Sequence, residues 1–162
     1  LYLARTLRQA GKKVVLFCGA RSADALLLDV QTERVSSIGH PELCVEQLSA
    51  LDVPAVIATD DGSLGVRGTI GAAFENWLNI NLPAESDMVA YSCGPEGLMQ
   101  AVGTVCLSRG YRCQLALERH MACGMGTCQS CVVKIRSDAE QGWSFKLCCT
   151  DGPVFEARDV LW

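Results

Sequence analysis

The sequence predicts an α/β protein: a Rossmann-like parallel sheet of the nucleotide-binding type, followed by a small domain of loops and short strands. Two observations carry this. Four short apolar runs bounded by turn residues alternate with helical patterns through residue 118. From Arg119 onward the alternation stops, and five of the ten cysteines fall in the closing segment, at 123, 128, 131, 148 and 149. The predicted domains are residues 1–118, a nucleotide-binding domain, and 119–162, a metal-cluster domain.

The elements follow in order. Leu1 to Gly11 reads as the last turns of a helix, with Leu3 and Leu7 on one face, basic residues near its end and Gly11 placed as a C-terminal cap. A helix met without an N-cap residue is expected to belong to a longer protein. Val14–Cys18 is a buried parallel strand ending at Gly19-Ala20-Arg21. Ser22 is placed to cap a helix through Leu26–Leu28. Residues 31–41 are polar and irregular, and Pro41–Leu51 has helical spacing. Pro54–Thr59 is a second strand, ending at Asp60-Asp61-Gly62. Thr69–Leu78 is helical, and Met88–Ser92 is a third strand, ending at Cys93-Gly94-Pro95. Pro95 starts a helix that runs to Gly110, and Cys113–Leu117 is the fourth strand.

Bulk properties narrow the function. Nearly half of the 162 residues are apolar, which sustains a packed core, yet no apolar run reaches the roughly 20 residues of a membrane span. The net charge is −4 with no basic stripe, so neither nucleic acid nor an anionic membrane is the expected partner. Cys18, Cys44, Cys106 and Cys113 stand singly in apolar contexts and read as core, and the clustering of the other cysteines points to a metal site, not a disulfide framework. His40 and His120 are isolated, and His120 is assigned to loop packing.

The decisive segment is Cys123-Gly124-Met125-Gly126-Thr127-Cys128-Gln129-Ser130-Cys131. Its C-x4-C-x2-C spacing is that of plant-type [2Fe–2S] ligation, and the fourth thiolate must come from Cys148-Cys149. An anionic cluster needs a closely wrapped loop that donates backbone N–H groups. Gly124 and Gly126 permit that path, and Ala122, Thr127 and Ser130 are small. Structural zinc is the competing assignment, but zinc sites pair C-x2-C with a second C-x2-C or with histidines. Adjacent Cys148 and Cys149 point to different sides of an extended chain, so only one of them ligates, and spacing leaves open which.

The strand ends supply the second candidate site. Ligands of open parallel sheets bind outside the carboxyl ends of the strands. There lie Gly19, Ala20 and Arg21; Thr59, Asp60 and Asp61; and Cys93, Gly94 and Pro95. Arg21 is a candidate for phosphate or ribose, and Asp60 or Asp61 for ribose hydroxyls or a nicotinamide amide. Each also reads as an ordinary turn residue, Arg21 as a solvated charge and Cys93 as a small buried hydrophobe. No phosphate-cradling glycine loop occurs in the chain.

The stretch from Glu118 through Cys131, followed by Cys149-Thr150-Asp151-Gly152-Pro153-Val154-Phe155, resembles the electron-transfer subunit of bacterial class 1B dihydroorotate dehydrogenase. Gly19-Ala20-Arg21, Thr59-Asp60-Asp61-Gly62-Ser63-Leu64-Gly65 and Cys93-Gly94-Pro95-Glu96 are similar to the nucleotide domain of the ferredoxin–NADP reductase superfamily. The resemblance implies that Cys149, two places before Asp-Gly-Pro-Val-Phe, completes the set Cys123, Cys128, Cys131 and Cys149. It implies that Cys93 and Gly94 face a nicotinamide–flavin stack. It implies an FAD-bearing barrel and a first Rossmann strand ahead of this region, a sheet that without that strand has a gap or relies on rearrangement or another copy, and a cytoplasmic setting. It further implies an FMN-containing partner that oxidises dihydroorotate in pyrimidine biosynthesis, assembled as a heterotetramer, with electrons passing from NADH (NAD(H) as cofactor) through FAD and the cluster. The chain is then an oxidoreductase component with no acid or base of its own. Small subunits of NAD(P)H-dependent ferredoxin–NADP and sulfide reductases share the cysteine pattern and stand as the alternative, and a zinc-stabilised binding module is the non-enzyme alternative.

Overall fold

The computed structural model describes residues 1–85 and 87–162. The chain forms two compact units, residues Leu1–Asn81 and Leu82–Trp162. The sequence-based boundary at 118/119 marks a different feature, the end of strand–helix alternation.

The first unit begins with helix α1 (Tyr2–Gln9), which buries Ala4 and ends where the Arg8 guanidinium donates to the Leu51 carbonyl at 2.8 Å. Strands β1 (Leu16–Ala20) and β2 (Ala55–Thr59) pair in parallel, Leu16 opposite Ala55 and Ala20 opposite Thr59. Every residue of β2 is buried, as expected of a parallel strand covered on both faces. Short β3 (Val66–Arg67) adds in parallel to the far side of β2. Helix α3 (Ile70–Asn81) packs on this sheet, with Phe74 and Trp77 meeting Phe17 edge-on at 5.2 and 5.6 Å.

Two expected helices are not formed. Ser22 precedes a single 3-10 turn, Ala23–Ala25, makes no capping bond, and leads into extended backbone at Leu26. The Ala23 N–H is instead satisfied by the Ser63 hydroxyl at 2.8 Å, so the turn is tied to the loop after β2. Within Pro41–Leu51 only the one-turn helix α2 (Glu46–Ser49) appears. Glu42 pairs with Ala55 through reciprocal bonds of 3.0 and 2.8 Å, and Val30 bridges Val45. Cys44 and Val45 are thereby buried at the sheet edge, and this tertiary burial outweighs the local helical spacing.

The second unit holds β4 (Val89–Cys93), α4 (Glu96–Ser108) and β5 (Arg112–Ala116), a right-sized strand–helix–strand unit with β4 and β5 parallel. Met99, Val102 and Cys106 of α4 and Cys113 and Leu115 of β5 are buried. Antiparallel β6 (Val132–Arg136) and β7 (Trp143–Leu147) form a hairpin. The C-terminal tail lies along β6 through Arg136 N–H to Asp159 O at 2.7 Å and Leu161 N–H to Lys134 O at 2.9 Å. Strand β8 (Val154–Glu156) turns back to pair antiparallel with β5. The parallel strands therefore divide between two three-stranded sheets, β1-β2-β3 and β4-β5-β8, instead of forming one continuous sheet. Among the described residues no helix is long and apolar enough to cross a membrane.

Candidate metal centre

The cysteine loop joins the end of β5 to the start of β6. Gly124, Gly126 and Gln129 have φ values of +68°, +86° and +56°, so the loop curls through three left-handed positions. A curl of this kind turns successive N–H groups inward, as in anion-binding backbone nests. The Cys128 N–H donates to Cys123 Sγ at 3.4 Å. Together with the Met125 and Thr127 N–H groups it pulls the Cys123 thiol down to about 6, and the Cys128 side chain lies beside it.

The second part of the site is set by the hairpin. Val132 pairs with Leu147, and the ladder continues as Cys148 N–H to Cys131 O at 3.0 Å. Cys131 is thus fixed opposite the Cys148-Cys149 step. The Cys149 N–H stabilises the Cys131 thiolate and lowers its pKa, whereas Cys149, sharing a proton with Cys131, is raised. The Gly126 N–H reaches Cys149 and links this pair of thiols to the loop carrying the first pair. Cys148 is buried and its thiol is raised by that burial.

Of the sequence candidates, Cys123 lies with Cys128 and Cys131 with Cys149, while Cys148 turns into the core. Among the described residues no three His, Cys, Asp or Glu side chains surround one ion-sized point. The donor set is two thiol pairs with amide N–H groups aimed at sulfur, a chemistry that fits an anionic iron–sulfur cluster better than a single zinc ion. His120, assigned to loop packing, is instead exposed, because the chain leaves β5 as an open loop there.

The strand ends are arranged as parallel-sheet topology dictates. In the first unit Ala20 and Thr59 are neighbours, with Arg21 and Asp60 exposed just beyond. The buried Thr59 hydroxyl is already used: it donates to Leu64 O at 2.8 Å and accepts the Leu64 N–H at 3.0 Å. Asp61 accepts from the Ser63 hydroxyl at 2.6 Å and from its N–H at 2.9 Å, which holds its carboxyl below the ordinary range. Gly19 has a packing reason as well, since a Cβ there would stand 2.6 Å from Ile70 Cβ. In the second unit Cys93 is exposed at the end of β4, so it is not a buried small hydrophobe. Gly94 has φ +151° and leads into Pro95 ahead of α4.

One relation was not legible from spacing. Cys93 pairs with Ala116, Ala116 with Val154, and the Leu117 N–H donates to Pro153 O at 2.9 Å. The Cys93–Pro95 loop and the segment descending from Cys149 therefore flank the same end of β5. Sequence reasoning also missed Asp151, which accepts the Leu147 N–H, and the ion pair of Arg119 with Glu96 at 3.4 Å.

Known proteins are similar to this chain in its cysteine-bearing segment and along its length. The iron–sulfur cluster binding domain of dihydroorotate dehydrogenase B matches residues 118–161. The dihydroorotate dehydrogenase B (NAD(+)) electron transfer subunit of Desulforamulus reducens is 32% identical, covering 97% of this chain and 62% of that protein. The counterpart from Caldanaerobacter subterraneus subsp. tengcongensis is 39% identical over 65% of this chain and 40% of that protein, and the one from Streptococcus pneumoniae serotype 4 is 30% identical over 99% and 54%. The solved structure of an NADH-dependent reduced ferredoxin–NADP oxidoreductase superposes with a TM-score of 0.72 at 22% identity, covering 99% of this chain and 48% of that one. The chain spans 40% to 62% of the length of these curated relatives.

Fold and site define a ferredoxin-reductase-like α/β chain that ends in an iron–sulfur cluster binding domain. Along its whole length the chain is similar to dihydroorotate dehydrogenase B electron transfer subunits, and its residues 118–161 match that family's cluster-binding domain.

Proposed function

We propose that this chain supplies the nicotinamide-facing and cluster-bearing part of a subunit that carries electrons from NADH, by way of FAD and a [2Fe–2S] cluster, to the FMN of a dihydroorotate-oxidising catalytic subunit. The supporting observation is that the two thiol pairs and the Cys93–Pro95 loop belong to one compact unit and adjoin the same end of β5.

Cys123 and Cys128 would hold one iron, Cys131 and Cys149 the other. When bound, the cluster supplies one-electron transfer, which complements the two-electron hydride chemistry of a nicotinamide and requires a flavin between them. The chain's own residues provide the setting. N–H groups of Met125, Thr127 and Cys128 stabilise negative charge on Cys123, and those of Gly126 and Cys149 do so for the second pair. The Cys123 thiol, pulled down to about 6, is largely thiolate at neutral pH, which is the ligating form. Cys148, buried beneath, backs the loop without ligating. At the strand ends Arg21 and Asp60 would contact the dinucleotide, with Gly19, Ala20, Thr59 and Asp61 shaping the floor. Cys93, Gly94 and Pro95 would present backbone and a small side chain to the nicotinamide ring. No acid or base is required of this chain, because substrate chemistry belongs to the partner.

The test uses the full-length protein purified anaerobically. Absorbance between about 400 and 600 nm, with equal iron and sulfide, is expected. So are bleaching by NADH and recovery of a flavoprotein complex that oxidises dihydroorotate. A colourless, iron-free protein overturns the reading. A coloured protein that ignores dihydroorotate and its oxidising partner removes the proposed acceptor.

A further inference from the structure

The ion pair between Arg119 and Glu96 joins two segments to which the proposed function gives different roles. Glu96 is the first residue of α4, directly after Cys93-Gly94-Pro95. Arg119 lies two residues past Leu117, whose N–H is bonded to Pro153, and four residues ahead of Cys123. The guanidinium therefore sits where the chain leaves the sheet for the cysteine loop. One of its nitrogens donates to the Glu118 carbonyl at 3.0 Å and the other meets the Glu96 carboxylate at 3.4 Å. Glu96 is further steadied by Gln100, whose amide donates to it at 3.3 Å. The Arg119 side chain is 29% exposed, against 52% for Glu96. The cation is thus the better shielded from water of the two, and its charge is the less screened.

We infer that Arg119 is a positioning residue that clamps the start of the cysteine loop to the head of α4, and that its charge, paired with Glu96, sets how readily the cluster takes up an electron. The inference rests on the cluster assigned above. A reduced cluster carries one more negative charge than an oxidised one. A fixed cation beside it favours the reduced form, and a fixed anion disfavours it. Arg119 and Glu96 therefore act with opposite signs, although removing either breaks the same ion pair. Because Glu96 opens the helix that follows the nicotinamide-facing loop, a change in its environment is transmitted to the cluster through Arg119.

The experiment is a redox titration of the full-length protein with dithionite as electron donor, followed by the cluster's EPR signal, with iron content measured in parallel. Arg119→Gln is expected to lower the midpoint potential and Glu96→Gln to raise it. Each change is a roughly two- to tenfold shift in the one-electron equilibrium, shrinking as salt is added. Arg119→Lys keeps the charge and stays near the parent. If Arg119→Gln loses iron, Glu96→Gln decides alone: a raised potential supports the inference, and an unchanged or lowered one overturns it. Shifts of both variants in the same direction, or an Arg119→Lys shift as large as that of Arg119→Gln, reduce the pair to a structural strut and overturn it too. A parent protein without iron instead removes the cluster assignment itself.

Discussion

Asp151 holds Leu147 from two sides: its Oδ2 accepts the Leu147 N–H at 2.7 Å, and its own N–H donates to the Leu147 carbonyl at 2.8 Å. The N–H groups of Thr150 and Gly152 also reach that carbonyl, at 3.3 and 3.2 Å. The turn so closed contains Cys148 and Cys149. Asp151→Ala removes a charge-assisted acceptor and leaves the Leu147 N–H to water. Since the site is exposed, the loss is about 1 kcal/mol. The larger effect is expected on Cys149, whose position the turn fixes. Asp151→Ala should retain less iron per chain than the parent, while Asp151→Asn, which keeps an acceptor oxygen, should retain nearly all of it. Equal iron loss in both variants contradicts the turn-closing role.

The adjacent cysteines differ in a way that mutagenesis reads directly. Cys149 faces Cys131 and the Gly126 N–H, whereas Cys148 is 1% exposed and part of the core. Cys149→Ser is expected to lose or alter the cluster spectrum with little change in melting temperature of the iron-free protein. Cys148→Ser is expected to keep the spectrum. It places a hydroxyl in an apolar site and costs about 1–3 kcal/mol of stability by denaturant titration. The reverse pattern of spectra contradicts the assignment.

How far the sequence alone reaches differs between these features. The C-x4-C-x2-C spacing is a local code, so the candidacy of Cys123, Cys128 and Cys131 can be read from sequence alone. The fourth position cannot, because Cys148 and Cys149 differ only in which side of the β7 turn they face, and that depends on the Cys131–Cys148 ladder bond. The apolar runs behind β1, β2, β4 and β5 announced themselves, with edges displaced by one or two residues. The helix expected over Pro41–Leu51 was lost because Glu42 finds a partner in Ala55, a contact no local period encodes. Asp151 reads as a turn residue before Gly-Pro until its acceptor role appears. Arg119 and Glu96 are more than twenty residues apart, beyond any helical spacing rule.

Gly65 gives a test of the first unit. Its φ is +70°, and a Cβ there would lie 2.2 Å from the Ile57 carbonyl oxygen in the buried strand β2. Both conformation and space demand glycine. Gly65→Ala is therefore expected to destabilise the protein by more than 2 kcal/mol, roughly the upper range of single substitutions. The loop it disturbs contains the Thr59–Leu64 bonds at the proposed dinucleotide floor, so nucleotide affinity should fall with stability. By contrast, Gly124→Ala meets no atom within 4 Å and pays only for its positive φ, so its cost should be about 1 kcal/mol. Equal costs for the two substitutions contradict this reading of the β2 loop.

Glu156 gives the acid limb of stability a specific source. It lies opposite Gln114 in the β5–β8 pair and accepts from the Gln114 amide at 2.8 Å and from Arg112 at 3.2 Å, with Arg158 at 3.7 Å. The Gln114 hydrogen bond is the largest influence and holds its carboxyl below the ordinary range; burial opposes it, and the Arg112 and Arg158 pairings add to the lowering. A depressed carboxyl contributes stability above its unfolded value, near 4.3. That contribution disappears as the pH falls through the folded value. With the side chain 25% exposed and the arginines solvated, the contribution is about 0.5–1 kcal/mol. Glu156→Gln should therefore melt a few degrees below the parent at pH 7, and the two proteins should converge as the pH falls through the folded value of the carboxyl. The gap should also narrow in high salt at pH 7, since part of it is charge pairing. A melting difference that is constant from pH 7 to pH 3 would assign the effect to packing of β8 and not to the carboxylate.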